Sequence, residues 1–480
     1  DILTCDWSSD VCSFRSTMTI KPDVIHTQLA EALPAMALCA NSYKGEPYVS
    51  AYLPHPSPSY EDPLISSARF EAYKERANYY NVTRRTIQSL VGMVFSKYPM
   101  IDNADNFDKK EITQNAKRAV IEVLQKGRCG LLADYPINQG VVSKQQLNAL
   151  GYQPKVKLYP AESVINWRTE NDKLTLVVIR EKYVTEDDGF SLKTAEQLIV
   201  LRLTDGVATS QIVQQKDGAW AFGEVSAIRQ SNGKAFTEIP FTFIGSENND
   251  ADVDDSPMYD LAKVNIAHYR NSADYEESIF IAGQPTLFVS GVTDDWRDYY
   301  DGVTVNAQGQ EVTTQGHPIT LGSRTAHLLG EGSTAQLLQA NANMALFEAM
   351  THKEQQMVAL GAKLIDTSTT NKTATEANSD NATNTSVLST IANNVSDAFS
   401  KALNYCCLFT GDKPECVVTL NTNYQTNKMT AQERQQLKKA PKRRCYLIRL
   451  FVHCPITDRI SMYIQHRRNS FLRISILQHT

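Results

Sequence analysis

Chemistry in this chain would have to come from a few thiols, clustered carboxylates and glycine turns, so their spacing is weighed first. Cys406, Cys407 and Cys416 lie close together. Zinc would want thiolates at CxxC spacing or imidazoles converging on one ion, and neither accompanies them, so they read as buried small hydrophobes. Cys129, in GRCGLLADYP, would need a histidine base and an orienting partner to act as a nucleophile, and the sequence nominates neither. Asp134 beside Tyr135 reads as structural. GEGST at Gly330 could hold an anion if a helix starts there, although a plain N-cap at Ser333 is the stronger reading. The acidic stretch Glu247 to Asp255 lacks the ligand spacing and glycine of a calcium loop. No Walker loop, nucleophile elbow, HExxH or strand-to-helix GxGxxG occurs. The expectation is a protein with no catalytic residues, no metal and no cofactor.

Charge narrows the class further. Residues 438 to 480 carry ten Lys or Arg against Asp458 alone, a net of +9, and residues 1 to 17 a net of −2. Subtracting both from the total of −5 leaves −12 for residues 18 to 437. An acidic body argues against gripping nucleic acid by phosphate neutralisation. Nine cysteines at irregular spacings fit a reducing compartment better than a disulfide framework. No run approaches the ~18 apolar residues of a membrane span.

The stretch that must organise the rest is SPMYDLAKVNIAHYRNSADYEESIFIAG, Ser256 to Gly283. Ser256 reads as N-cap, Pro257 as the first helical residue, and Gly283 with Pro285 as the stop. Such a helix would be roughly 39 Å long, against a typical length of ~12 residues. Asp260, Lys263, Ala267, Arg270, Asp274 and Glu277 step by threes and fours down one polar stripe. Met258, Leu261, Ala262, Val264, Ile266, Tyr269, Ala273, Tyr275, Ile279 and Phe280 cover more than half the circumference. That pattern wants neighbours on two sides and water along one line.

Around it, KGEPYVSAYLPHPSPSYEDP reads as an extended surface segment. Phe70, Tyr73, Ala77, Tyr80, Arg84, Ile87, Val91 and Val94 then form the stripe of one helix, and a second spans about Lys110 to Gln125. GRCGLLADYP reads as a turn into a buried strand. From 155 to 245, KVKLYP, LTLVVIREKYV, EQLIVLRL and IPFTFIG, separated by Asp205-Gly206, Asp217-Gly218 and Asn232-Gly233, predict one antiparallel meander. Gln284 to Leu329 reads as a small insertion of short strands (PTLFVSG, VTVNAQGQEV, HPITLGS). A helix expected from near Ser333 then follows, with Leu346, Met350, Lys353, Met357, Leu360 and Leu364 as its packed seam. Asp366 to Thr385 is polar and Thr/Asn rich and reads as a loop or a frayed helix start. Leu388, Ile391, Val395, Phe399, Ala402 and Cys406 mark a further helix ending at Gly411.

Six segments in order, ARFEAYKERANYYNVTRRTIQSLVGMVFSKYP, GRCGLLADYP, LYPAESVINWR, EIPFTFIG, SPMYDLAKVNIAHYRNSADYEESIFIAGQPTLFVSG and TATEANSDNATNTSVLSTI, resemble tailed-bacteriophage portal proteins, in a subfamily long carried as a domain of unknown function. The resemblance covers about residues 18 to 437, and the chain departs from the family's usual continuation after MTAQERQQL. It implies an α+β, mainly α fold with long stem helices, an antiparallel β-rich wing and a small α/β clip. Mapped by residue, the wing is 18–255, the stem helices 256–282 and 336–365, the clip 283–335, the tunnel loop 366–376 and the later wing or crown helix and end 377–437. Residues 1–17 resemble translated sequencing adapter, and 438–480 read as an out-of-frame or aberrant tail.

Functionally, the resemblance implies a homo-oligomeric ring, usually of twelve subunits, at one capsid vertex. That ring would be the conduit for DNA packaging and ejection, with double-stranded DNA passing through without sequence-specific binding and no membrane contact. Its partners would be the terminase large subunit, head-completion or adaptor proteins, and the major capsid or scaffold protein. Its location would be the virion, and the host cytoplasm during assembly. Asp260, Lys263, Arg270, Asp274 and Glu277 become the stem stripe, facing either the channel or a neighbouring subunit. Thr367, Thr369, Asn371, Lys372 and Thr373 become tunnel-loop residues, and Asp294, Asp295, Trp296 and Arg297 clip contacts. Another phage-head component, minor capsid or adaptor, is the alternative reading, and an unrecognised enzyme the third.

Overall fold

The computed structural model describes residues 21–56, 62–135, 153–216, 218–284, 286–316, 331–338, 344–365 and 386–424. The tunnel-loop residues Thr367, Thr369, Asn371, Lys372 and Thr373, the segment HPITLGS, the leader and the basic tail lie outside the described residues.

The chain opens with α1 (Thr27–Lys44), which contains Pro34, and a short α2 (Glu46–Val49) with a 3-10 turn at Ser50–Tyr52. The segment expected to be extended after Lys44 is therefore partly helical. The single helix expected from Phe70 to Val94 is two, α3 (Pro63–Arg76) and α4 (Val82–Val94). Ala77 turns extended, and the Asn81 side chain caps α4 by accepting from Arg84 N–H at 2.8 Å. An asparagine cap inside an apolar periodicity restarts the helix at a new angle.

After β1 (Met100–Asp102), α5 (Lys109–Lys126) ends at Gly127 in the left-handed region with φ 76°. A Cβ there would lie 2.2 Å from the Asp254 carbonyl oxygen, so glycine is needed both for the turn and for the close approach. The chain then enters β2 (Arg128–Asp134), buried along most of its length, as GRCGLLADYP predicts.

The expected single meander is two sheets. β4 (Val164–Glu170), β5 (Lys173–Asp187), β6 (Leu192–Thr204), β7 (Val207–Lys216) and β8 (Ala219–Ala227) form a five-stranded antiparallel meander in chain order. β3 (Lys155–Pro160) and β9 (Phe241–Gly245) instead flank β2 in a three-stranded sheet, registered Leu131↔Leu158 and Gly130↔Phe243. β2 lies outside the 155–245 stretch, and it captures the first and last strands of the pattern. The fold is mixed α and β with antiparallel sheets, as expected.

Next come α6 (Tyr259–Ala282), β10 (Thr286–Ser290), α7 (Asp294–Asp301), the hairpin β11 (Val303–Val305) with β12 (Glu311–Thr313), β13 (Thr334–Leu338) and α8 (Met344–Lys363). The described chain closes with α9 (Val387–Thr410) and β14 (Val417–Thr419), which pairs with β1. Ile87, Leu90 and Val94 of α4, Ala116, Val120 and Leu124 of α5, Leu131 of β2, and Ile391, Val395 and Phe399 of α9 make the main core. The α9 stripe read from sequence is this buried face.

α6 is fixed to that body by a buried polar knot. Asn265, fully buried, accepts at Oδ1 from Tyr79 OH at 3.1 Å, Thr83 N–H at 3.1 Å and Thr83 Oγ1 at 3.0 Å, while its Nδ2 donates to the Tyr80 carbonyl at 2.9 Å. Ser42 Oγ of α1 joins Tyr79 OH at 2.6 Å and Thr83 Oγ1 at 2.7 Å. Four segments therefore satisfy one another's polar groups around one side chain. An Asn265→Ala substitution strands the buried Thr83 amide, at ~1–3 kcal/mol for a buried group left unsatisfied, and removes one of two donors to the Tyr80 carbonyl, which keeps the Val82 N–H at 2.8 Å. Urea denaturation of the variant is expected to show a loss of about 3 kcal/mol; a change below ~0.5 kcal/mol would mean the knot contributes nothing.

Candidate interaction surface: a helix pair and its terminal module

α6 starts two residues later than its sequence signal. Pro257 and Met258 form a turn, Met258 stands at the cap position without a side-chain bond, and Ser256 Oγ donates to the Gln125 carbonyl at 2.7 Å. Ser256 is therefore not the N-cap. Its hydroxyl satisfies an acceptor at the buried C-terminal end of α5, where carbonyls have no intrahelical partner. Gly283 does end the helix, but in right-handed conformation (φ −73°), its N–H bonding to Ile279 O at 2.8 Å.

α8 runs back antiparallel along α6. A Cβ on Gly361 would lie 3.9 Å from Leu261 Cδ1, His268 Nε2 sits 3.4 Å from Glu354 Oε1, and the rings of Tyr275 and Phe347 are 6.1 Å apart. Both sets of residues step by seven, in opposite directions, which is the repeat of a helix-helix seam. Leu346, Met350, Lys353, Met357, Leu360 and Leu364 are all at least partly covered, in keeping with the predicted packed stripe. Among the described residues of α8, however, only Met357 is fully buried.

The helix does not begin near Ser333. Residues Thr334–Leu338 form β13, paired antiparallel with β10 from Thr286↔Leu338 to Ser290↔Thr334, and Ser333 Oγ donates to the Gly291 carbonyl at 3.1 Å instead of capping a helix. The second long helix is correspondingly Met344–Lys363, shorter than the expected 336–365. Pairing with a strand 44 or more residues upstream is a tertiary contact that local periodicity does not register.

The polar stripe of α6 divides in two. Asp260 and Lys263 are exposed, with Lys263 Nζ 5.8 Å from the Tyr259 ring. The lower half fastens α6 to the preceding segments of its own chain. Arg270 Nε donates to the Tyr52 carbonyl at 2.9 Å, Asp274 Oδ1 accepts from Tyr73 OH at 2.7 Å, and Glu277 is held by Arg76, with Arg69 Nε at 3.9 Å. Burial and the Asp274 bond push the Tyr73 hydroxyl pKa up, so it stays a donor.

The module between the helices is built on the β10/β13 ribbon. Asp294 and Asp295 are exposed in the first turn of α7, a favourable end for carboxylates, and Asp294 pairs with Arg297. Trp296 stacks in a cluster with Tyr299 and Tyr300, at centroid distances of 5.8 and 5.9 Å. Gly302 closes α7 in the left-handed region at φ 72°, where a Cβ would lie 2.5 Å from Gly316 N and Thr314 O.

Sequence reasoning did not register the apolar surface these elements expose. Ile279, Phe280 and Ile281 at the end of α6, and Met344, Phe347 and Val358 on α8, are exposed, Val358 at 72%. In the ribbon, Phe288 stands opposite Gln336 and Leu337 opposite Leu287, so the exposed Phe288 and Leu337 point to opposite faces. Both faces of the ribbon therefore present apolar side chains. The available signal was PTLFVSG and TAQLL themselves, where Leu287, Val289, Ala335 and Leu337 leave one side wholly apolar and Phe288 stands among Ser290, Thr334 and Gln336 on the other.

As to groups that could do chemistry, Cys39, Cys129, Cys406, Cys407 and Cys416 are all free and buried, and burial raises the Cys129 thiol pKa. Asp134 pairs with Lys157 at 2.7 Å on the surface. The acidic loop binds its own backbone, Asp254 Oδ2 accepting from Glu247 N–H at 2.8 Å and Asp250 Oδ1 from Asp252 N–H at 2.9 Å. Among the described residues no group of three or more His, Cys, Asp or Glu could hold a metal ion, and no helix is long and apolar enough to cross a membrane.

Comparison with known proteins adds the following. A family model described as Domain of unknown function (DUF4055) matches residues 257–410, the span holding both long helices, the module and α9. No curated protein matches. Two solved structures are similar: the neck of an empty GTA particle computed with C6 symmetry, and the neck of a native GTA particle computed with C12 symmetry. Each is 13% identical with a TM-score of 0.35, covering 80% and 82% of this chain and 91% and 92% of theirs.

His268 makes the helix pair sensitive to pH. It is 3% exposed, and its nearest charged partner is Glu354, whose Oε1 lies 3.4 Å from Nε2. Burial lowers its pKa below 6.5, with Lys353 acting in the same sense and Glu354 opposing. The neighbouring Tyr80 ring is 6.4 Å away. A histidine whose folded pKa is depressed is protonated first in the unfolded chain, so stability is retained above about pH 6.5 and lost as pH falls below it, by at most ~1.4 kcal/mol per unit. Chemical denaturation at pH 7.5 and 5.5 is expected to show a steeper loss for the wild type than for His268→Gln, with equal slopes contradicting this assignment.

Proposed function

We propose that the chain is the subunit of a phage portal: a structural ring at one capsid vertex that conducts DNA and docks the packaging motor and head-completion proteins. The observation that supports this best is the α6–α8 pair with its terminal ribbon. It is long and thin, it exposes Ile279, Phe280, Ile281, Phe347 and Val358, and its ribbon presents one wholly apolar face, Leu287, Val289, Ala335 and Leu337, with Phe288 exposed on the other. A two-stranded ribbon is marginal by itself, and contiguous exposed apolar surface marks an interface. A ring supplies identical neighbours on both sides of each subunit through one head-to-tail contact. The sequence resemblance over residues 18 to 437 selects this kind of ring.

On this reading the stem comprises α6 and α8, the clip the module between them, the wing the body up to residue 255, and the tunnel loop residues 366–376. The net charge of −12 over residues 18 to 437 suits a conduit, since like charge lets the duplex slide and not adhere. Asp260 and Lys263 are the stripe residues left for the channel or a neighbour. Asp295 and Asp298 of α7 give the clip an acidic tip for motor or adaptor contacts.

Electron microscopy and native mass spectrometry of the full chain are expected to show rings with a central hole. Ile281→Asp combined with Val358→Asp, both exposed and outside the α6–α8 seam, should lower the ring fraction at least tenfold while leaving the circular dichroism spectrum unchanged. A compact monomer at every concentration, or a head-shell complex that binds no terminase, would replace the portal reading with another particle component.

A further inference from the structure

We infer that Cys407 and Cys416 form an oxidisable dithiol, a modification site that closes into an intramolecular disulfide when the chain meets a small peroxide. Their sulfurs lie 3.4 Å apart, in different elements: Cys407 in the last turn of α9, Cys416 immediately before β14. Bond formation requires an approach to about 2.05 Å. The surroundings already hold both sulfurs in place. Cys416 N–H donates to Asn404 Oδ1 at 2.8 Å, its Sγ lies 3.0 Å from the Asn103 carbonyl, and β14 is registered against β1 as Ile101↔Val418. The partner is also unambiguous. Cys406, adjacent in sequence, packs with Phe236, Tyr405 and Phe409 in a different cluster, whereas Cys407 and Cys416 share one.

The chemistry balances with peroxide as the oxidant. The Cys407 thiolate attacks one oxygen, the O–O bond breaks, and the departing hydroxide takes the thiol proton to leave a sulfenic acid and one water. Cys416 sulfur then attacks the sulfenic sulfur, the S–S bond forms, the S–O bond breaks, and a second water leaves with the Cys416 proton. Two electrons pass from the thiols to the peroxide. Burial pushes the Cys407 thiol up to about 12 and raises that of Cys416, so the pair oxidises slowly at neutral pH and faster as pH rises. Once formed, the bond ties the end of α9 to the β1/β14 ribbon.

The test uses the reduced full chain, treated with hydrogen peroxide, digested with pepsin and mapped by tandem mass spectrometry. A Cys407–Cys416 link, lighter by two hydrogens, is expected, with an unfolding temperature raised by a few degrees. Cys406→Ser should retain both effects and Cys416→Ser should lose both. Should the second variant fold poorly, the wild-type map decides alone. A link through Cys406, or Cys407 driven to sulfinic acid while Cys416 stays reduced, would overturn the assignment.

Discussion

Everything distinctive about this chain depends on how one long helix is held in a single register against its own body. The Asn265 side chain, in the first third of α6, is satisfied on both its amide oxygen and its amide nitrogen by Tyr79, Thr83 and Tyr80, with Ser42 completing the set. Apolar packing alone would let α6 rotate or slide along its long axis, because Leu261, Ile266, Tyr269 and Ala273 are interchangeable in kind. A fully satisfied polar cluster admits one register, since any shift leaves buried donors and acceptors unpaired. The knot thus sets the direction in which the rest of α6 leaves the body.

Beyond the knot, contacts become progressively one-sided. Tyr73, Arg76 and Arg69 still reach Asp274 and Glu277, and Arg76 stacks 4.1 Å from the Phe280 ring. The heptad steps Leu261, His268 and Tyr275 against Gly361, Glu354 and Phe347 keep the two helices together over three turns or more. The seam is thin, with a buried histidine at its middle position and a glycine at one end. The pair is therefore stiff enough to carry the module and poor enough in buried surface to want a partner.

Much of this was legible in the sequence wherever one helix faces one core. The span of α5, the α9 stripe, the turn at Gly127 and the buried strand after it all follow local patterning, and α6 is announced by its length. What failed did so for nonlocal reasons. The α3/α4 break hides because Tyr73, Ala77, Tyr80 and Arg84 keep a helical step across Asn81, whose capping role shows only when the backbone turns. α1 carries Pro34 in its interior and so does not look like a helix. β3 and β9 look like members of the meander until β2 takes them. Thr334–Leu338 precedes a helical stripe and reads as its first turn, but pairing with Thr286–Ser290 overrides that local preference. Nothing in the pattern NIAHYRN marks Asn265 or His268 as buried.

The division of α6 also bears on the charges. A polar stripe read from sequence appears continuous, yet Arg270, Asp274 and Glu277 are already engaged by Tyr52, Tyr73 and Arg76 of the same chain, leaving Asp260 and Lys263 open. Ion pairs spent inside the subunit cannot also define contacts between subunits. In the ring we propose, the exposed apolar groups near the helix ends must therefore supply most of the attraction, with charge setting what the interface rejects. Each such contact is modest. Every subunit of a closed ring makes two of them, and the last contact to form joins parts already held in place, so a patch too weak to keep a dimer can keep a ring. That is consistent with a subunit whose body is complete by itself and whose projecting arm is not.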